Sequence, residues 1–225
     1  MNILKSCAIA GLTTLLSFSA QAQVGGFTIP GLGGGSGDSF GATAKIYSVN
    51  VVTGMLNTVR GVEFAQRASG KKAEADKLGA IAKEIERMKE PKADILEKSM
   101  KAVEANPVDR SAIAAVKSAE RKAMLIVATK HMIVAGVYVQ MAVANAISLA
   151  GKKPGLMDVL SAPGITEAAS ITAQHGPTIV SNGGEYLSVL TSYLSSNGMQ
   201  KPSTADCVAV AKQTDPDAAS KGASF

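Results

Sequence analysis

The residues whose types suit chemistry are few and scattered along this chain. Its two histidines are His131 and His175, and with Cys207 they form the one zinc set the sequence allows. Their spacing matches no compact zinc motif, so any such site would be assembled wholly by tertiary folding. His131 falls inside a long apolar stretch and reads as a satisfied histidine on a helix face. His175-Gly176-Pro177 reads as the end of a short helix. Glu84, Glu86 and Glu90 stand among lysines on a charged helical face, and paired-carboxylate catalysis would need a cleft around them. Gly31-x-Gly33-Gly34-Gly35 resembles a phosphate loop in glycine content alone, because no strand precedes it and no Lys-Ser/Thr follows. No nucleophile elbow of the G-x-S-x-G type occurs. The sequence therefore names no catalytic, metal-binding or cofactor-binding residue.

Among the segments that would carry such residues, the N-terminal one has three parts. Met1 to Lys5 supplies one positive charge, Cys7 to Phe18 is an apolar run too short to span a bilayer, and Ala20-Gln21-Ala22 offers a small-x-small cleavage site. Residues 1–22 are expected to be a secretory signal cut after Ala22, with a periplasmic or secreted product. Cys7 precedes the apolar run, so it is not a lipoprotein cysteine. Loss of these 22 residues from 225 leaves 203, enough for a sizeable core. It also leaves 22 basic against 18 acidic residues, a mild excess that is no nucleic-acid footprint. Tryptophan is absent and other aromatics are scarce, which removes stacking platforms for bases. Cys207 is then the only thiol, available for a bridge to another molecule in an oxidising compartment.

Residues 23–44 read as a glycine-rich flexible leader. Phe27, Ile29 and Leu32 are its apolar members, and the alternation in Phe27-Thr28-Ile29 would let it add a strand to a partner's sheet edge. Residues 45–151 are expected to form a long-helix bundle. Ile46, Val49, Val52, Leu56, Val59 and Val62 recur every three or four residues on one helix face. Leu78, Ile81, Ile85 and Met88 repeat the pattern over 72–90, Pro91 interrupts it, and it resumes through Ile95, Leu96, Met100 and Val103. Asp94–Lys98 and Glu97–Lys101 are favourably ordered pairs four apart. Asn106-Pro107-Val108-Asp109 predicts a helix start with Asn106 as cap, and no breaker follows until Gly151. Residues 152–214 are chopped by Gly155, Pro163-Gly164, Gly176-Pro177 and Gly183-Gly184, which predicts short helices, one over 185–196 and another over 205–213. Thr178-Ile179-Val180 suggests a short strand. Residues 215–225 read as a disordered polar tail.

Met132 to Ala150 carries no charge over nineteen residues. Met132, Val134, Val137, Val139, Val143 and Ile147 are its large aliphatic members. A helix apolar on every side is buried in protein or in lipid. Gln140 and Asn145 within the stretch, and Tyr138 at its centre rather than at its ends, favour protein. The fold class is thus all-α: an elongated helical bundle or hairpin with a smaller C-terminal helical segment. The function expected is non-enzymatic, through protein–protein contact in the bacterial cell envelope, with an envelope protein or a second copy as partner. The alternative is a membrane-active or membrane-spanning protein that uses residues 124–150, as a pore-former or a stop-transfer helix. Neither reading involves nucleic acid or a cofactor.

Overall fold

The computed structural model describes residues 23–24, 27–28, 39–152, 154–155 and 164–214. The protein is all-α, with seven helices among the described residues: α1 (Phe40–Ala68), α2 (Lys72–Glu86), α3 (Ala93–Glu104), α4 (Arg110–Ala114), α5 (Ala119–Ala150), α6 (Ile165–Ser196) and α7 (Thr204–Thr214). Two short strands, β1 (Gln23–Val24) and β2 (Phe27–Thr28), pair antiparallel with Val24 opposite Phe27. The proposed signal over 1–22, most of the leader and the tail over 215–225 lie outside the described residues.

Three long helices, α1, α5 and α6, hold the core. Gly54 of α1 meets Val139 of α5 and Gly61 meets Met132, so these helices run antiparallel. Gly176 of α6 meets Val143 of α5, while Tyr47 and Gln66 of α1 reach Thr172 and Tyr186 of α6 in parallel order. The shorter α2 folds back on α1, α3 lies against α6, and α7 packs on α5.

The helix starts and stops have local causes. Ser39 caps α1 by accepting from the Ala42 N–H at 3.2 Å. Phe40 is buried, so α1 begins there and not at Lys45, five residues into the expected leader. At its other end Gly70 takes φ +85°, and the Lys71 N–H closes on the Gln66 carbonyl at 2.9 Å, a left-handed glycine stop. The buried face of α1 is also offset from the expected one. Phe40, Ala44, Tyr47, Val51 and Met55 face inward, whereas Ile46 is 42 % exposed and Val49 and Val52 are half-buried. Tyr47 is fully buried on this face, and its hydroxyl meets Thr172 Oγ1 at 2.8 Å, a partner that an inward Ile46 could not use. Leu56, Val59 and Val62 are buried as expected, because α2 and α3 close over that half.

In α2 and α3, Leu78, Ile81, Ile85, Leu96, Met100 and Val103 are all buried, and Ile95 and Met88 lie at the core's edge. Glu97 pairs with Lys101 at 2.6 Å, but Lys98 reaches across to Glu84 of α2 at 2.7 Å instead of taking Asp94. The helix expected from Asn106 is split. Asn106 donates back to the Ala102 carbonyl at 2.8 Å and closes α3. Asp109 is the actual cap, accepting from the Ala112 N–H at 2.9 Å, and α4 lasts five residues. The Val116 carbonyl is then taken by the Tyr193 hydroxyl at 2.5 Å, and Ser118 caps α5 afresh. From there α5 is continuous through Gly136 to Ala150, about 48 Å at 1.5 Å per residue.

The largest departure from pattern is α6. Gly176-Pro177 and Gly183-Gly184 do not stop it, and Thr178–Val180 is helical. An interior proline costs about 3 kcal/mol and each glycine about 1. Against this, Ile179, Tyr186, Leu190 and Leu194 are almost wholly buried, at about 1.5–3 kcal/mol apiece. Gly176 also admits Val143, whose Cγ2 would lie 2.3 Å from any Cβ at that position.

Candidate functional site

Helix α5 is the hub, and its flanks are built differently. The flank facing α1 is small and polar. On α1, Asn50, Gly54, Asn57 and Gly61 recur at intervals of four, three and four, one stripe of the helix. A Cβ on Gly54 would sit 2.9 Å from the backbone nitrogen of Val139, so the two helices touch main chain to side-chain root. One turn along, Asn57 Oδ1 lies 2.8 Å from His131 Nδ1, and the Phe64 ring stacks on the imidazole at 5.8 Å between centroids. Burial, and secondly the nearby Arg60 guanidinium, hold His131 neutral, with a pKa pulled down to about 4. Asn50 Nδ2 is buried on the same stripe with no hydrogen-bond partner.

Beyond His131 the seam ends in a charged knot. The Glu63 side chain, only 7 % exposed, is gripped by Arg60 at 2.7 Å and Arg67 at 3.1 Å. Arg60 continues to Glu86 at 2.6 Å and Arg67 to Asp76 at 3.1 Å, tying α1 to α2. Gly79 leaves room for the buried carboxylate, whose Oε1 would stand 2.9 Å from a Cβ there. Lys72 also pairs with Asp76, so three cations meet three carboxylates and the knot is a fastener of helices.

The opposite flank faces α7 and forms its own apolar cluster. Val134, Tyr138 and Met141 of α5 meet Cys207 and Ala211 of α7, with Ile133, Val137, Val208 and Val210 around them. Lys130 Nζ donates to Asp206 Oδ1 at 2.7 Å beside this cluster. Cys207 is 2 % exposed, and burial pushes its thiol pKa up, with Asp206 adding to the effect. A bridge from this thiol to another molecule therefore requires α7 to lift.

The other expected site residues fall as follows. Met132 and Val139 are buried on the α1 side of α5, Val134 is buried under α7, and Val137 and Val143 are half-buried. Ile147 is a correction: it is 58 % exposed, because α1, α6 and α7 leave the last turn of α5 open on that side. Phe27 lies in β2, and Ile29 and Leu32 fall outside the described residues. His175 sits in mid-helix, not at an end, with Nδ1 3.2 Å from Glu104 Oε1. His131, His175 and Cys207 stand on separate interfaces, and among the described residues no three of His, Cys, Asp and Glu form a metal set. Glu84 and Glu86 are engaged with Lys98 and Arg60, and Glu90 is exposed.

Comparison with family models, curated proteins and solved structures finds no match. An open cleft of about 330 Å³ lies between α4 and α6, lined by Arg110, Ile113, Val189, Ser192, Tyr193 and Asn197. Its charged member, Arg110, is paired with Glu185 at 3.0 Å, so the cleft presents no acid–base couple. Sequence reasoning missed Asn57, Phe64 and Glu63. The signal for the first was present, since small and polar residues alternate at three and four along α1, but a search confined to aliphatics passes over it.

Proposed function

We propose that this is a non-enzymatic exported protein of the bacterial cell envelope that acts by binding another protein. One observation carries the reading: an apolar helix of 32 residues, α5, has two flanks packed by long helices and one covered only by the eleven-residue α7. A cluster that stands apart from the main core is a surface another helix can share. The matched charges of the knot and of the outer helix faces keep the rest of the molecule soluble.

Fractionation of cells making the full chain tests both address and role. Osmotic shock is expected to release the protein, and a photo-crosslinker at Val137 is expected to trap one discrete protein adduct. Retention in carbonate-washed membranes, with crosslinks to lipid alone, would refute the proposal. A second reading has its own support, because α5 is long and apolar enough to cross a bilayer and half of its most apolar window is buried. Leakage of dye from anionic vesicles is the measurement that favours it.

A further inference from the structure

The α7 flank carries an inference about how partner binding is controlled, and it rests on the reading just given. α7 has eleven residues, too few for a stable helix alone in water, so its helicity and its docking form together. It hangs from α6 by residues 197–203, a connection opened by Gly198 at φ +65°. Its fully buried contacts are two small side chains, Cys207 and Ala211, four apart on one face, with Val208 and Val210 half-buried at the edge. One carboxylate does two tasks. Asp206 accepts from the Ser203 backbone N–H at 3.0 Å and from its hydroxyl at 2.7 Å, starting the helix, and from Lys130 at 2.7 Å, mooring it to α5.

We propose that α7 is a releasable internal ligand, seated on Val134, Tyr138 and Met141 until an amphipathic helix of a partner protein takes its place. The seated helix defines what fits. The replacement carries small apolar residues four apart and an acid immediately before the first, to meet Lys130. A bilayer fits this seat less well, since α1 and α6 keep the other flanks of α5 and the seat is one helix wide. Closed, α7 hides the docking face and keeps the protein from binding at random. Open, it presents the face and frees Cys207.

The thiol reports the motion. In the full chain with Cys7→Ser, Cys207 is the only cysteine, and its rate of reaction with a maleimide measures how often α7 lifts. Asp206→Asn removes mooring and cap together and is expected to speed labelling about tenfold, with Lys130→Met slower than that but above the parent. Asp206→Glu is expected to return the rate most of the way to the parent's. A fluorescent peptide of residues 203–214 bearing Cys207→Ala is expected to bind Asp206→Asn and raise its labelling further, while a scrambled peptide does neither. If Asp206→Asn keeps its helix content and labels at the parent rate, α7 is a fixed part of the fold and this inference fails, with partner binding untouched. If the variant opens but ignores the peptide and instead coats anionic vesicles, or pairs with itself, both the helical partner and the reading beneath it are overturned.

Discussion

The two flanks of α5 solve the same problem, covering apolar surface, in opposite ways. Against α1 the helix is packed to the backbone, with glycines at Gly54 and Gly61 and a polar clasp at Asn57–His131. Against α7 it is covered by one short helix, which buries two small side chains, lays Val208 and Val210 at the edge and adds one ion pair. Close packing of backbones leaves no room for adjustment, so the first contact is rigid and belongs to the core. The second can be undone without opening the core, because its cluster shares no buried residue with the main one. The difference teaches that apolar length alone does not say what a helix does. What matters is how each side is closed.

The strongest way to break this comparison is Gly54→Val. The new side chain would enter space already held by the Val139 nitrogen at 2.9 Å and the Tyr138 carbonyl carbon at 3.1 Å, atoms that move only with the helix. A loss of about 3 kcal/mol or more is expected in urea unfolding, with the whole protein affected. Gly61→Ala sharpens the point. Its nearest neighbour is the Met132 side chain, at 2.8 Å, and a flexible thioether can swing aside while alanine gains helix propensity. The net change there should stay within about 1 kcal/mol.

Next in size is the pH response of the clasp. His131 is neutral in the fold, with its pKa lowered from 6.5 to about 4 by burial and by Arg60. The unfolded chain therefore binds the proton first as pH falls. The stabilisation is whole above about pH 6.5 and is lost progressively down to about pH 4, roughly 3 kcal/mol in all. Denaturation midpoints measured across that window should show the slope in the parent chain. His131→Gln, which keeps a hydrogen-bonding partner for Asn57, should flatten it. Equal slopes in the two proteins would remove His131 as the cause.

The α7 flank should respond locally. Ala211→Asp places a carboxylate among Val134, Tyr138 and Met141, where burying its charge is costly, and α7 is expected to leave rather than bury it. Hydrogen exchange should then show lost protection over 204–214 with α1 and α5 unchanged, and global stability should fall by less than about 1 kcal/mol. A global loss on the scale of Gly54→Val would make the two flanks equivalent and end the distinction.

Much of the fold was legible because helices announce themselves by period. The buried positions of α2 and α3 follow directly from aliphatics at three- and four-residue spacing, and the charge-free run over Met132–Ala150 marked the hub. What misled were cues whose effect is set by tertiary contact. Pro177 and the Gly183-Gly184 pair read as stops, yet α6 passes through them because the burial of Ile179, Tyr186 and Leu190 outweighs their cost. The break between α4 and α5 has no glycine or proline and depends on Tyr193, 77 positions away, taking the Val116 carbonyl. The site was less legible still. Nothing local says that Cys207 turns inward onto Tyr138, or that Asn57 and His131, 74 positions apart, meet.

The smallest effect concerns the pair chosen by Lys98. Sequence spacing assigns it to Asp94 on its own helix, but its amine lies 2.7 and 2.9 Å from the two carboxylate oxygens of Glu84 on α2. Both partners are partly exposed, at 53 % and 40 %, and water screens the pair, so about half a kcal/mol is expected. Glu84→Gln should cost that amount and Asp94→Asn less, and a double-mutant cycle with Lys98→Met should return coupling for Glu84 alone. Coupling to Asp94 instead would mean that α3 keeps its charges to itself and that α2 is held to it by apolar contact only. The tie between α2 and the core would then fall wholly to the Glu63 knot and the aliphatic face, making the α1 side of the molecule more dependent on close packing than the ion pairs suggest.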